Sequence, residues 1–565
     1  MRNVAADNLA GAFALVDALA GAGVRRFVVS PGSRSTPLVL ALERHPAVRI
    51  WVQLDERSAG YFALGLAKAD GEPAALVCTS GTAVANWMPA VVEANLGNVP
   101  LVLLSADRPP QLRDCGANQT VDQLKLFGAQ VRHFHELALP DATPATLAYL
   151  RAAGRRAAGL ARWPLAGPVH LNVPFAEPLV PGELPGLVPA PEPLPWTRPL
   201  LEAAPEAVAA LARRLSGRRG VVVCGPGAYR PGFPGAVAAL AAGLGVPVLA
   251  DPLSGLRCGA HERTRVLTRY DAFLRRAAFL RDARPDWVLR FGDPPVSRAL
   301  QDWLGGLEGT DMFLVDRRPL RSDPLHRVGE LLHADEQPFC AALRGAGLAP
   351  ALADWLGRWR AEEERAAELA KVPEAATLEA AALAALARIA PAGAAVFLGN
   401  SLVVRDADMY FPGRGRPLEF MGNRGASGID GNVSTALGIA AERGRVVALL
   451  GDLALAHDLG GLAAARGLNA ALVVFNNGGG AIFGHLPQAR LDSFERFWLT
   501  PSGLDLEKAA ELFGLGYARA ETAAAAGDAL SAAVEGRGAW LVELRVDRED
   551  SLRAHRAYWE LVAAD

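Results

Sequence analysis

The chain has 565 residues, 51% apolar and 21% charged. That composition describes an ordinary globular protein, too long for one hydrophobic core. A net charge of −2 leaves it without the basic footprint of a nucleic-acid-binding protein, and its five cysteines, Cys78, Cys115, Cys224, Cys258 and Cys340, are scattered with no CxxC pair. This argues against a disulfide framework or a zinc site and fits a reducing, cytoplasmic setting.

At the N-terminus, Leu9, Phe13, Val16 and Ala20 recur at helical spacing, with the Gly21/Gly23 region as a stop. Asp7 and Asp17 interrupt the apolar run, so it does not read as a signal peptide. Short apolar strands are predicted at Phe27–Ser30, 48–54, Ala74–Thr79 and Leu101–Ser105. Each ends in a polar loop: Ser30-Pro31-Gly32-Ser33-Arg34-Ser35, Asp55-Glu56-Arg57, Thr79-Ser80-Gly81-Thr82 and Ser105-Ala106-Asp107-Arg108-Pro109. Loops at the carboxyl edge of a parallel sheet are where ligands bind, and one that opens a helix can cradle an anion.

Residues 175–199 are crowded with proline and read as an extended linker. Beyond it, strands are predicted at Val221–Cys224, Pro247–Asp251, Trp287–Phe291 and Phe313–Asp316. Gly225-Pro226-Gly227 follows the first of these, but a lone GPG is no dinucleotide fingerprint, and FAD is not expected there. The charged run Trp359–Lys371, with Pro373 after it, marks a second break. The alanine-rich stretch 375–398 is broken by Glu379, Arg388 and Pro391, so it reads as a surface helix and the strand Ala394–Leu398 rather than a transmembrane span. Further strands are predicted at Val446–Leu450 and Ala471–Phe475. Such alternation implies an α/β fold of three doubly wound parallel-sheet domains, residues 1–184, 185–368 and 369–565.

The third segment carries the most informative pair of motifs, Leu449-Leu450-Gly451-Asp452-Leu453 and Val473-Val474-Phe475-Asn476-Asn477-Gly478-Gly479-Gly480. Asp452 and Asn476 stand 24 positions apart (476 − 452), which fits strand, crossover helix and strand, with both turns at one sheet edge. A carboxylate, an amide oxygen and a glycine-region carbonyl suit a hard cation such as Mg²⁺, which keeps phosphate or water oxygens as its other ligands. The pair therefore reads as half of a metal–diphosphate clamp. Either motif alone would be only a cap or a turn. His457-Asp458, on the helix after Asp452, reads as structural.

A strand-terminal Gly-Asp, a downstream Asn-Asn and an upstream glutamate in a separate α/β domain resemble thiamine-diphosphate-dependent enzymes. More specifically, SPGSRSTPL at 30–38, DERSAGYFALGLAK at 55–68, SADRPP at 105–110, ANQT at 117–120, GNS at 399–401 and NRGASGIDG at 423–431 resemble the 2-succinyl-5-enolpyruvyl-6-hydroxy-3-cyclohexene-1-carboxylate synthases of menaquinone biosynthesis. The resemblance spans nearly the whole chain. It implies pyrimidine-binding, central and diphosphate-binding domains. It implies a transferase that decarboxylates 2-oxoglutarate on thiamine diphosphate and adds the resulting carbanion to isochorismate.

The resemblance also implies roles. Glu56 would bond the aminopyrimidine ring nitrogen, in apolar surroundings supplied in part by Ala59, Tyr61, Phe62 and Leu64. Asp452, Asn477 and the Gly479 carbonyl would bind Mg²⁺ or Mn²⁺, with Asn476 supporting the turn. Ser427, Gly428, Gly451 and Leu453 would line the cofactor, Ile429 would wedge it into its bent form, and Phe483 would be an active-site aromatic. Leu453 stands where many members of the superfamily have glycine. Both substrates are dicarboxylates, which guanidinium forks recognise bidentately. Arg34, Arg108, Arg405 and Arg424 take that role, with Ser33, Gln119 and Ser401 as polar partners. Ser33, Arg34, Gln119, Arg405 and Arg424 join Glu56 in the catalytic set. Arg298 would be the middle-domain contact, next to Ser297, which stands where some relatives have lysine. The cofactor would lie between the first domain of one subunit and the third of its neighbour, making a homodimer the minimum unit and a tetramer the larger form. Two other readings stay open: another thiamine-diphosphate enzyme, of the 2-oxoacid decarboxylase or acetolactate synthase kind, and a non-catalytic binding module on the same fold.

Overall fold

The computed structural model describes residues 3–183, 197–319 and 322–564. The expected boundary at 184/185 lies outside the described residues, as does most of the proline-rich linker. Among the described residues, three six-stranded parallel sheets form, with helices between the strands. The first holds β1 Arg26–Val29, β2 Arg49–Val52, β3 Ala74–Cys78, β4 Leu101–Asp107, β5 His133–Glu136 and β6 Pro168–Pro174, in the order β2-β1-β3-β4-β6-β5. The second holds β7 Gly220–Cys224, β8 Val248–Ala250, β9 Val266–Leu267, β10 Trp287–Phe291, β11 Asp311–Val315 and β12 Glu330–Leu332, ordered β12-β11-β10-β7-β8-β9. The third holds β13 Ala394–Leu398, β14 Leu418–Gly422, β15 Val446–Gly451, β16 Ala470–Asn476, β17 Gly516–Ala520 and β18 Ala539–Arg545, ordered β14-β13-β15-β16-β18-β17.

The first and third sheets thus share one strand order, and the middle sheet has the dinucleotide-fold order. Each order reverses direction between two central strands: β1 and β3, β7 and β10, β13 and β15. The loops leaving those strand ends border an open crevice. They include Ser30–Ser35, Thr79–Thr82, Gly399–Ser401 and Gly451–Asp452, all polar motifs of the sequence. The central strands β3 and β4 are buried at every position, as strands covered by helices on both faces must be. Gly225 has a packing reason for its identity. It lies so close to the Asp293 carbonyl that no side chain fits.

The contacts divide the chain into two compact units, Met1–Arg198 with Asn423–Val446 and His457–Leu468, and Pro199–Gly422 with Val447–Ala456 and Asn469–Asp565. In the first, the helix Val4–Gly21 is the one described helix long and apolar enough to cross a membrane, yet its apolar window is 72% buried. Leu9, Leu15, Val16 and Leu19 are sealed in the core with Leu150 and Ala157, and Gly23, in the left-handed region (φ 88°), follows its end. In the second unit, the charged run expected to be a break is helical. The helix Ala353–Leu369 buries Trp355 and Trp359, together with Glu362, which pairs with Arg276 at 2.6 Å, while most of its other charges are exposed.

Candidate functional site

In the first unit, Glu56 opens the helix Glu56–Asp70, capped by Asp55, whose Oδ1 accepts from the Arg57 N–H at 2.9 Å. Glu56 is half-buried, and the turn behind it, Ala59, Tyr61, Phe62 and Leu64, is packed into the core. At the end of β3, burial first and the Glu56 charge second push the Cys78 thiol well above its ordinary pKa.

The loops at the crevice between β1 and β3 gather the next residues. Arg34 is buried. Its backbone N–H donates to Thr79 Oγ1 at 3.3 Å, and its guanidinium reaches the Phe175 carbonyl at 3.0 Å and Glu177 Oε1 at 2.7 Å. Ser33 is exposed at the tip, its carbonyl accepting from Thr36. Arg108 Nη1 donates to Ser80 Oγ and, at 2.8 Å, to the Gln119 carbonyl. Burial first, then the neighbouring Arg34 charge, draws the Arg108 pKa down. Gln119, in the left-handed region at φ 52°, returns its Nε2 to the Ser80 carbonyl at 3.0 Å. Arg34, Arg108 and Gln119 therefore converge, with Ser33 at the rim.

Beneath them lies a polar layer that sequence reasoning missed. Gln123 Oε1 accepts from the Gly81 N–H at 3.0 Å, while its Nε2 donates to Asn172 Oδ1 at 2.9 Å. Asn172 also donates to Asp107 Oδ2 at 2.9 Å and accepts from Ser105 Oγ. Ser105 also bonds His170 at 2.6 Å, and burial drives that imidazole down to about 3, so it is neutral. The His170 and Asn172 positions interrupt an apolar strand, which was the available signal.

The loop 423–431 belongs to the same unit. It carries Arg424, Ser427, Gly428 and Ile429, all half-buried, and Ser427 is held at φ 62°, a conformation costly for a non-glycine residue. Tyr61 OH donates to Asp430 Oδ2, and Gly431 sits against the Tyr61 ring where no Cβ fits. Asp458 is fully buried, accepting from Ser434 N–H at 2.7 Å and Ser434 Oγ at 3.0 Å. It caps the first turn of the helix Asn432–Arg443, a structural role.

In the second unit, Asp452 follows β15 and Asn477 follows β16, neighbours in the third sheet. Desolvation raises the Asp452 carboxyl to about 6, and backbone N–H groups of Leu453 and Gly479 donate to it and oppose that rise. Asp452 and the 477–479 turn are therefore in contact. Gly479 has φ 135° and no room for a side chain beside the Leu499 carbonyl. Asn476 Nδ2 donates to Glu543 Oε1 at 2.7 Å, and its Oδ1 accepts from Gly478 N–H at 3.3 Å, so it braces the turn. Asn477 Oδ1, by contrast, is buried without a hydrogen-bond partner. A buried acceptor left unpaired near a carboxylate that is costly to ionise is the kind of donor an oxygen-coordinated cation takes. The residues present fit Mg²⁺ or Mn²⁺. Among the described residues no three His, Cys, Asp or Glu side chains gather to hold a metal, so such a site depends on the amide and the backbone. An added Cβ at Gly451 would meet no protein atom, which leaves space at the strand end.

Phe483 lies beside this turn, its ring edge 3.0 Å from where a Gly480 Cβ would stand. Leu453 is half-buried. Ser401 sits at φ 69° at the start of the helix Leu402–Tyr410, and Arg405, one turn on, donates to its carbonyl at 2.6 Å. Arg298 stands apart. Its side chain is 84% exposed and paired with Asp302 at 2.9 Å, one turn along its own helix. Ser297 turns inward and donates to Asp271 Oδ1 at 2.6 Å.

The chain matches three family descriptions in succession: the N-terminal TPP-binding domain of thiamine pyrophosphate enzymes over 9–126, the middle domain over 191–398, and the C-terminal TPP-binding domain over 405–544. It is 46% identical to the 2-succinyl-5-enolpyruvyl-6-hydroxy-3-cyclohexene-1-carboxylate synthase of Chloroflexus aurantiacus, covering 97% of this chain and 95% of that one. The chain belongs to this synthase family. The synthases of Dechloromonas aromatica and Geobacillus kaustophilus are each 44% identical, over 96% and 98% of this chain and 100% and 98% of theirs. Benzoylformate decarboxylase from Polynucleobacter necessarius superposes with a TM-score of 0.71 at 18% identity over 97% of this chain and 99% of its own. That likeness speaks to the fold alone. Membership in the synthase family brings with it thiamine pyrophosphate as cofactor.

Proposed function

We propose that this protein condenses 2-oxoglutarate, after loss of CO₂, with isochorismate to give 2-succinyl-5-enolpyruvyl-6-hydroxy-3-cyclohexene-1-carboxylate. Thiamine diphosphate, when bound, supplies the electron sink for the decarboxylation. The observation that carries the reading is the pair Arg34 and Arg108. Two guanidinium groups close enough that the Arg34 charge adds to burial in drawing the Arg108 pKa down, steadied by Glu177, Ser80 and Gln119, are stabilised further by a dianionic substrate.

The residues take the following roles. Asp452, Asn477 and the Gly479 carbonyl would hold Mg²⁺ or Mn²⁺ and through it a diphosphate, in the space beside Gly451 and Leu453. Glu56 would hold a proton at the aminopyrimidine ring nitrogen. Ser427, Gly428, Ile429 and Phe483 would fix the cofactor's shape. Arg34, Arg108, Arg405 and Arg424, with Ser33, Gln119 and Ser401, would orient the carboxylates and keep water from the reacting carbon. Arg298, paired with Asp302 on its own helix, would be the middle-domain contact.

The assembly is a homodimer at least, extending to a tetramer, in the cytoplasm. One feature supports the dimer: edge strand β2 and the segment after it leave Val52 70% and Leu54 84% exposed just before Glu56, the kind of apolar edge that an interface covers. The parts are residues 1–184, 185–368 and 369–565, one sheet to each.

The decisive experiment incubates purified protein with isochorismate, thiamine diphosphate and Mg²⁺, and compares 2-oxoglutarate with pyruvate. Formation of the six-membered-ring adduct with 2-oxoglutarate is expected. CO₂ release from pyruvate in preference would favour an acetolactate-synthase-like carboligase, and no turnover of either would favour a binding module.

A further inference from the structure

The helix Met88–Leu96 (MPAVVEANL) is apolar except for Glu93 and Asn95. Glu93 is 2% exposed. Its carboxylate accepts three consecutive backbone N–H groups of the 423–431 loop: Gly425 on Oε1 at 2.9 Å, Ala426 on Oε2 at 2.6 Å and Ser427 on Oε2 at 3.4 Å. Successive amides turned to one point form a concave anion cradle, and here the anion is the protein's own side chain. Gly425 must be glycine for this approach, since a Cβ would lie 2.6 Å from both the Glu93 carbonyl and the Gly97 nitrogen. Lys68 Nζ stands 3.8 Å from Glu93 Oε1. Its desolvation works against the ammonium charge, and the Glu93 charge works for it. A buried carboxylate that is multiply hydrogen-bonded is expensive to leave unmatched, so the loop has one strongly favoured position.

We infer that Glu93 is a positioning residue of the synthase. By holding the amides of residues 425–427 it sets the neighbouring Arg424 guanidinium for a substrate carboxylate. The inference rests on the functional reading above for Arg424, but its geometry does not. Ile429 is anchored separately: its carbonyl accepts from Asn432 Nδ2 at 2.7 Å, and Asp430 is held by Tyr61. Glu93 also holds Ser427, but through the longest of its three bonds, 3.4 Å, so disturbing Glu93 should be felt by the substrate more than by the cofactor.

The test is Glu93→Gln in the full-length protein, with two independent readouts. Glutamine keeps the size but can accept through only one oxygen. Hydrogen exchange on the cofactor-free protein should show the amides of 425–427 exchanging at least tenfold faster, while the helix Glu56–Asp70 keeps its protection. In the loaded protein, KM for 2-oxoglutarate or isochorismate should rise fivefold or more, with thiamine diphosphate affinity within threefold of the parent. A purely structural role would lower the melting temperature and leave KM unmoved below it. Unchanged exchange at 425–427, or KM within twofold in a folded variant, overturns the inference. Should Glu93→Gln not fold, Glu93→Asp, which keeps the charge but withdraws it by one methylene, is read by the same two measurements and the same limits. If the parent protein makes no adduct, the functional reading fails, and the exchange measurement still judges the role of Glu93.

Discussion

Gly65 and Gly438 face each other where the helix Glu56–Asp70 crosses the helix Asn432–Arg443. A Cβ on Gly438 would lie 3.0 Å from the Gly65 Cα, and one on Gly65 would collide with the Thr435 carbonyl. The first helix carries Glu56 at its start, and the second follows directly on the loop 423–431. The crossing of two backbones without side chains between them therefore sets how closely these functional segments approach. Gly65→Ala should destabilise the protein by about 2 kcal/mol, the usual scale of overpacking in a tight core. Denaturant titration checks this, and a change under 0.5 kcal/mol would mean the crossing is looser than described.

Glu56→Gln should leave thiamine diphosphate binding nearly intact while turnover falls by roughly 10²–10⁴-fold, the span of a positioned proton-transfer group. Binding by calorimetry and turnover by adduct formation separate the two effects. Full activity in the variant would remove Glu56 from the catalytic set.

Asp452→Ala should lose metal-dependent cofactor affinity by about 100-fold or more, beyond what an outer-shell partner of a metal gives. Chelation of the parent should have the same effect and readdition of Mg²⁺ should reverse it. Calorimetry showing equal affinity with and without chelator would reject the clamp.

Arg405→Ala and Arg424→Ala each remove a charge-assisted contact worth roughly 1.5–3 kcal/mol, so KM for a dicarboxylate should rise about 10–100-fold with cofactor affinity spared. Steady-state kinetics with each substrate varied in turn would show which arginine serves which molecule. Loss of cofactor affinity alone would reassign the residue.

Stability should depend on pH through His555. Desolvation opposes its charge, but the hydrogen bond to Asp406 at 2.9 Å and that residue's charge outweigh it and hold the imidazole up at about 9. A raised histidine stabilises fully below its unfolded value near 6.5, and the contribution fades as pH climbs toward 9. The melting temperature should fall across that window, by an amount worth on the order of a few kcal/mol. His555→Gln should flatten the profile there. An unchanged slope would show that another group governs it.

Much of the candidate site was legible in the sequence because its motifs are local. Gly451-Asp452 and Asn476-Asn477-Gly478 end apolar runs, so a continuous apolar stretch with a polar stop was enough to place them at strand ends. Ser30–Ser35, Thr79–Thr82 and Ser105–Pro109 were placed at loops in the same way. Strands β5, β6, β9, β12, β14, β17 and β18 went unread, because they are short or carry polar residues such as His170, Asn172 and Glu543 whose partners lie far along the chain.

The amino-acid order by itself determined the alternation of strand and helix, the motifs at the strand ends and the family, since each depends on residues close together or on matched motifs. Only the tertiary structure decided that Asn477, not Asn476, has the unsatisfied oxygen, that Glu93 is the anion in the loop's amide cradle, and that Arg298 faces solvent. Those are questions of which distant group fills a given hydrogen-bonding position, and an isolated stretch of sequence holds only one side of each pair.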